Sequence, residues 1–146
     1  MTGAGRWVLT LLLATVCLAD CGPDTAPGPR TIDGGFPATA ELPPLPFRLV
    51  DQTGRIQALA VVDPGELPDG VSQAPGRADA VHLLWTGGAC DRRVLVTFEG
   101  AADEATFMID TERDFGGCML LGIRRTLLIE FNQPVDAATV SVAMVE

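Results

Sequence analysis

Lysine and tyrosine are both missing from this chain of 146 residues, so its basic side chains are ten arginines and a single histidine. Acidic residues number 19, and the formal net charge is -9. Because like charges repel, this balance excludes binding to nucleic acid or to an anionic lipid surface through basic charge. Hydrophobic residues still make up 47% of the chain, which is enough for a packed core and excludes a wholly disordered protein.

Long apolar runs are also scarce. The run near the N-terminus, residues 7–19, has about 13 uncharged and mostly apolar residues, which matches a signal-peptide core. It is shorter than the roughly 20 residues that a membrane-spanning helix needs. Arg6 precedes the run and Asp20 ends it. The pattern predicts an export signal over residues 1–20.

The end of this signal, Leu18-Ala19-Asp20-Cys21, resembles the lipobox of bacterial lipoproteins. The resemblance implies that Cys21 is acylated, becomes the first residue of the mature chain and anchors the protein to a membrane. Asp20 stands where the family has a small residue. Two alternatives therefore stay open: cleavage after Ala19, which gives a soluble secreted protein, and an uncleaved N-terminal anchor.

Apolar periodicity is absent from the next segment, in which residues 22–46 include seven prolines and several glycines. Such a composition cannot bury enough surface to offset the entropy of ordering. We expect a flexible tether over residues 21–45 and a single domain over residues 46–146.

No helical period of useful length appears after residue 40, whereas short alternating runs recur. Val94, Val96 and Phe98, for example, alternate with more polar positions, as in a half-buried strand. Residues 63–76 are rich in proline and glycine and predict a loop. The expected strands cover residues 47–51 and 55–62, paired as a hairpin, and residues 80–85, 92–99, 105–110, 124–131 and 139–145. About seven strands in about 100 residues predict an all-β, antiparallel sandwich of immunoglobulin-like size.

The stretch from Ile129 to Val140 is similar to a strand-turn-strand motif of bacterial Ig-like domains. A phenylalanine ends the first strand, then a proline, an apolar-Asp pair and a threonine-led strand follow. Physically, Pro134 blocks the ladder and Asp136 accepts hydrogen bonds from nearby backbone amides before β-branched residues restart a strand. The resemblance implies an Ig-like fold and carries no function.

Two cysteines in the domain, Cys90 and Cys118, each follow a pair of glycines and precede an arginine pair. We expect a disulfide between them, which the chain-entropy estimate makes worth roughly 3.5 kcal/mol. Trp85 is expected to pack near this bridge, as in immunoglobulin domains. The alternatives are a metal site, which needs ligands beyond the single histidine, and a redox pair, which favours closer spacing.

Three further patterns are candidate sites. Arg92 and Arg93 with Arg124 and Arg125 form an anion-binding patch if their strands are neighbours. The alternative is that they pair with acidic side chains at the rim of the sandwich. A weaker candidate is a calcium site, because carboxylates recur at every second position; its residues are Asp110, Glu112 and Asp114. His82 has no nucleophile at a recognisable elbow and gives no catalytic assignment.

These observations favour a non-enzymatic lipoprotein of the bacterial cell envelope, an interaction or structural module without a cofactor. Its partners would be the membrane, reached through the lipid, and another envelope protein or a surface polymer. A carrier of small anions or calcium is the alternative function. An exported hydrolase is a third, because sandwich loops can hold sites that no motif reveals.

Overall fold

The computed structural model describes residues 27–145 except Glu41, Ala102, Phe115 and residues 117–120. Within these residues the chain forms nine β-strands and a 3₁₀ turn at Ala137–Thr139. No helix in this part of the chain is long and apolar enough to cross a membrane. The strands are β1 (Arg30–Phe36), β2 (Leu45–Asp51), β3 (Ile56–Val62), β4 (Gly70–Gln73), β5 (Ala80–Gly88), β6 (Asp91–Ala101), β7 (Glu104–Arg113), β8 (Gly122–Phe131) and β9 (Val140–Val145).

The strands form two sheets that share one core. The five-stranded sheet has the order β1-β2-β6-β7-β9, and the four-stranded sheet has the order β3-β8-β5-β4. Alternate residues of β6 and β8 point into the core, as their sequence pattern predicts. Phe98 of β6 packs against Phe131 of β8 with ring centroids 5.4 Å apart, which ties the sheets together. The all-β, two-sheet prediction is confirmed at this level.

The expectation of purely antiparallel sheets was wrong. In the five-stranded sheet, β2 pairs with β6 and β7 pairs with β9 in parallel. Successive strands of this chain alternate in direction, and the chain passes from one sheet to the other after β2, β5, β7 and β8. Strands an even number apart in sequence therefore run the same way, and they become parallel neighbours where the chain returns to the first sheet.

The predicted hairpin of the second and third strands was also wrong. The turn between β2 and β3 carries the chain from one sheet to the other, so β2 pairs with β1 and β6 while β3 pairs with β8. Asp51 shapes this turn: its carboxylate is fully buried and accepts hydrogen bonds from the Thr53 and Ile56 backbone N–H groups at 2.9 and 2.7 Å. The presence of a turn was readable from the sequence, and the partner of each strand was not.

The predicted tether contains a strand, which is a further correction. Residues 21–45 were expected to be unstructured, but Arg30–Phe36 pairs with β2 over its whole length as an edge strand. Phe36 is buried beside Trp85, with ring centroids 5.6 Å apart. A strand with few apolar positions has little pattern of its own, and its order comes from pairing and from this aromatic contact. The tether prediction for residues 21–26 lies outside the described residues.

The sandwich has two ends, which differ in the chain connections that lie there. The turn end holds the β2–β3 turn at residues 52–55, and the cavity end lies about 20 Å away along the strands, where β1 ends and β2 begins. The chain enters at the turn end. Gly54 has a φ of 68°, and a Cβ there would overlap the carbonyl oxygen of Pro27, so the start of the described chain packs on this turn.

The predicted turn before the last strand is confirmed in its local chemistry. Asp136 accepts a hydrogen bond from the Ala138 N–H at 2.9 Å and starts the 3₁₀ turn, after which β9 begins at Val140. Strand β4 lies within the predicted loop of residues 63–76 and is therefore another element that the sequence pattern missed.

Candidate binding site at the cavity end

A cavity of about 450 Å³ opens between the two sheets at the cavity end. One wall is the β1–β2 connection, a proline-rich segment that includes Pro37, Pro43 and Pro44. The opposite wall is formed by the last residues of β3 and the first residues of β8. Most of the exposed lining is therefore apolar, and the prolines keep the connection from closing the gap with backbone hydrogen bonds. We call this space the end cavity.

An ion pair between the sheets forms the floor of the end cavity. Arg125 of β8 donates from Nη1 to the Asp91 carboxylate of β6 at 2.7 Å and from Nη2 to the Gly88 carbonyl at 2.9 Å. The side chain of Asp91 is fully buried and that of Arg125 is 6% exposed. Burial lowers the pKa of Arg125, and the nearby carboxylate opposes that shift. The pair supplies fixed polar groups at the base of an otherwise apolar space.

Three neighbouring groups hold this ion pair in place. The Gly88 N–H donates to Asp91 at 2.8 Å, and the Arg113 guanidinium lies 3.4 Å from the other carboxylate oxygen. Phe36 stacks under the Arg125 guanidinium at 5.9 Å, a cation–π contact. A Cβ on Gly87 would overlap that guanidinium and the Asp91 carboxylate, so a larger residue there would displace the ion pair. No sequence pattern indicated this role of Gly87, the first glycine of the pair before Cys90.

The four predicted anion-binding arginines do not form one patch. Arg92 and Arg93 belong to β6 and Arg124 and Arg125 to β8, so the pairs lie in different sheets. Their partners are groups of the protein itself. Arg92 pairs with Asp114, Arg93 with Glu112 at 2.8 Å, Arg125 with Asp91, and Arg124 with the Gly65 and Leu67 carbonyls.

Two of the three predicted calcium candidates are engaged in these ion pairs. Glu112 and Asp114 each hold an arginine of β6, and Asp110 lies beside Leu95 in the ladder. Among the described residues, no group of three or more histidine, cysteine or acidic side chains is arranged to hold a metal ion. Asp110, Glu112 and Arg93 do line a second groove of about 640 Å³ on the outer face of the five-stranded sheet. Exposed ion pairs line this groove, so water competes for its polar groups.

The remaining predicted positions lie elsewhere. His82 is half-buried on the outer face of the four-stranded sheet, opposite Ser72 of β4. Cys90 lies in the turn between β5 and β6, and Cys118 lies outside the described residues, so the bridge between them stays a prediction. Cys21 also lies outside them. Of the predicted site residues that the structure describes, only Arg124 and Arg125 line the end cavity.

Comparison with known proteins gives no relative. No protein-family profile matches the chain, and neither a curated protein nor a solved structure matches it. The function of the chain is therefore inferred from the geometry and chemistry of the end cavity.

Proposed function

We propose that this chain is an extracytoplasmic lipoprotein whose sandwich is a non-enzymatic binding module, with the end cavity as its binding site. The observation that carries the proposal is the cavity itself. Its volume of about 450 Å³ is in the range of ligand sites, its walls are apolar, and the Asp91–Arg125 pair provides a few fixed polar groups. The Ig-like relationship is part of the same proposal and is supported by the stretch from Ile129 to Val140.

A lipid on Cys21 would also determine which end of the sandwich lies near the membrane. Pro27 packs on the β2–β3 turn, and Cys21 is six residues before it. Six residues span at most about 20 Å, so a lipid on Cys21 holds the turn end of the sandwich close to the bilayer. The end cavity then opens away from the membrane, where a partner can approach it.

The lipid part is tested by intact-mass analysis of the mature protein from its membrane fraction. A diacylglycerol-modified Cys21 is expected at the N-terminus, and Cys21→Ser should release the protein from the membrane. A mature chain that starts at Asp20 would contradict the anchor and leave the sandwich as a secreted module.

The binding part is tested by filling the end cavity. Ala89 lines it, and Ala89→Trp should occupy the space from a turn without replacing a strand residue. Ala143 on the exposed outer face of β9 gives the matched control, Ala143→Trp. Partners cross-linked to the wild-type protein in native membranes should be lost from the first variant and kept by the second. Equal capture by both variants would place the binding surface outside the end cavity.

A further inference from the structure

Strand β8 continues past the end of its neighbour β3. The last β3 residue, Val62, pairs with Thr126, whereas residues 122–125 of β8 pair only with β5 on the other side. β3 stops there because Asp63 accepts a hydrogen bond from the Gly65 N–H at 2.8 Å and Pro64 has no N–H to donate. Within the described part of the chain, four residues of β8 therefore have a strand on one side only.

The hydrogen-bond directions along β8 identify which backbone groups face the open side. Leu121 accepts from the Ala89 N–H, and the Phe131 N–H donates to the Asp79 carbonyl, so odd-numbered residues face the β5 side. The Asn132 N–H donates to the Arg55 carbonyl, so even-numbered residues face the β3 side. The N–H and C=O of Arg124 consequently point to the side where none of the described strands pairs with them.

This open edge borders the end cavity. Residues 123–126 of β8 all line it, although successive side chains of a strand point to opposite faces. Four consecutive lining residues mean that the cavity touches the edge of the strand. Thr126, the residue that pairs with the last residue of β3, is the last of these four. This part of the cavity wall is thus the backbone edge of a strand, and prolines lie nearby.

We propose that the end cavity binds an extended peptide segment of a partner protein, which adds to β8 beside Arg124 in line with β3. This inference rests on the proposed binding function and specifies the class of ligand. A peptide backbone supplies the donors and acceptors that an open strand edge lacks, and this is the chemistry of strand addition. An apolar side chain of the segment would lie against the wall formed by Pro37, Pro43 and Pro44.

The position of the N-terminus supports a partner rather than the chain's own leading segment. The described chain begins at the turn end, about 20 Å from the cavity along β1. If the mature chain starts at Cys21, its six residues before Pro27 could reach the cavity only by being fully extended along the sandwich. They would then have no length left to pair with β8.

The test compares two variants at one position. Arg124→Ala and Arg124→Pro both remove the side-chain contacts to the Gly65 and Leu67 carbonyls, but only the proline removes the backbone N–H. Ten-residue peptides are selected from a random displayed library on the wild-type domain. We expect the selected peptides to bind the alanine variant within about threefold of wild type and the proline variant at least tenfold more weakly.

Amide hydrogen exchange provides a second measurement that does not depend on the proline variant folding. In the free domain the Arg124 amide should exchange fast while those of Ile123 and Arg125, bonded to β5, exchange slowly. A selected peptide should slow exchange at Arg124. Protection of Arg124 in the free domain, or equal peptide affinity for both variants, would overturn the proposal.

Other outcomes separate this inference from the function on which it rests. If Ala89→Trp abolishes partner capture but no peptide is enriched, the cavity binds a different class of ligand and strand addition is rejected. If sedimentation shows a dimer that Arg124→Pro dissociates and Arg124→Ala retains, the strand comes from a second copy, and the partner-protein proposal is overturned. Loss of the lipid on Cys21 would affect neither measurement.

Discussion

At the turn end, the buried carboxylate of Asp51 accepts hydrogen bonds from residues at most five positions later in the chain. At the cavity end, the buried carboxylate of Asp91 binds a guanidinium 34 residues away in the other sheet. The first arrangement closes a turn with local bonds and neutral donors. The second requires both sheets to be in place and leaves a charged partner if it is broken. The turn end is thus closed by contacts within one short segment. The cavity end depends on the assembled fold and keeps an open space above its ion pair.

The largest expected effect comes from removing Asp91. Asp91→Ala leaves Arg125 charged and buried without its carboxylate, and breaking a buried pair in this way costs about 3–5 kcal/mol. The free energy of unfolding, measured in urea, should fall by that amount. Asp33→Ala is the control, because it breaks an ion pair to Arg48 whose side chains are 57% and 67% exposed, and should leave the midpoint nearly unchanged. Equal loss in the two variants would show that the Asp91–Arg125 pair does not hold the cavity end.

A double variant tests whether the cost of removing Asp91 comes from the charge that is left unpaired on Arg125. Asp91→Leu with Arg125→Met removes both charges, and similar apolar replacements of buried pairs have been neutral or stabilising. The double variant should therefore unfold at a higher urea concentration than Asp91→Ala alone. It should also make the floor of the end cavity apolar, so a ligand that uses these polar groups should bind it less tightly.

Breaking the predicted bridge of Cys90 is the next largest perturbation at this end. Reduction, or Cys90→Ser, should lower the free energy of unfolding by roughly 3.5 kcal/mol if the partner is Cys118. Thiol labelling after denaturation should leave both cysteines unreacted unless a reductant is present. Labelling of both without reductant would reject the bridge, and the cavity end would then depend on the ion pair alone.

Asp51 gives a smaller effect at the turn end. Asp51→Ala removes the acceptor for the buried Ile56 N–H and for Thr53, and an unsatisfied buried donor costs about 1–3 kcal/mol. The loss should be smaller than that of Asp91→Ala, because no charge is left buried. A larger loss for Asp51→Ala would reverse the comparison between the two ends.

The sequence predicted the parts of the fold that have a strong local pattern. Alternating residues such as Val94, Val96 and Phe98 identified core strands, and Asp136 identified a turn. Strand β1 was missed because Gly34 and Gly35 interrupt its pattern, and Phe36 is ordered by Trp85 across the sandwich. The pairing of β3 with β8, and hence the open edge at Arg124, depends on contacts between residues far apart in the chain. No local pattern encodes such contacts.

The residues of the end cavity were also only partly predictable from the sequence. Its two arginines were noticed as a pair, but their roles differ because successive strand residues face opposite ways. Arg125 points inward to Asp91, while Arg124 points outward to the loop carbonyls and presents its backbone to the cavity. Gly87 was noticed only as one of the glycines before Cys90, and its packing against a guanidinium became visible only in three dimensions.

The smallest expected effect concerns pH and involves one aspartate at each end. The Arg77 side chain holds the pKa of Asp79 below its usual value at the turn end, and the Gly116 N–H and Arg92 do so for Asp114 at the cavity end. A carboxyl group with a depressed pKa in the folded state contributes stability above its unfolded pKa of about 3.9. That stability is lost as the pH falls through the folded value. Both groups are exposed, so the loss should be shallow.

Urea midpoints measured between about pH 6 and pH 2 test this, with the fluorescence of Trp85 as the probe. Asp79→Asn and Asp114→Asn should each lower stability slightly at neutral pH and flatten part of the fall below about pH 4. Trp85 lies beside Phe36 at the cavity end, so a local opening there should change its emission before the whole domain unfolds. If Asp114→Asn removes such an early change and Asp79→Asn does not, the cavity end is the less stable of the two. An early change that only Asp79→Asn removes would instead locate the weaker end at the turn.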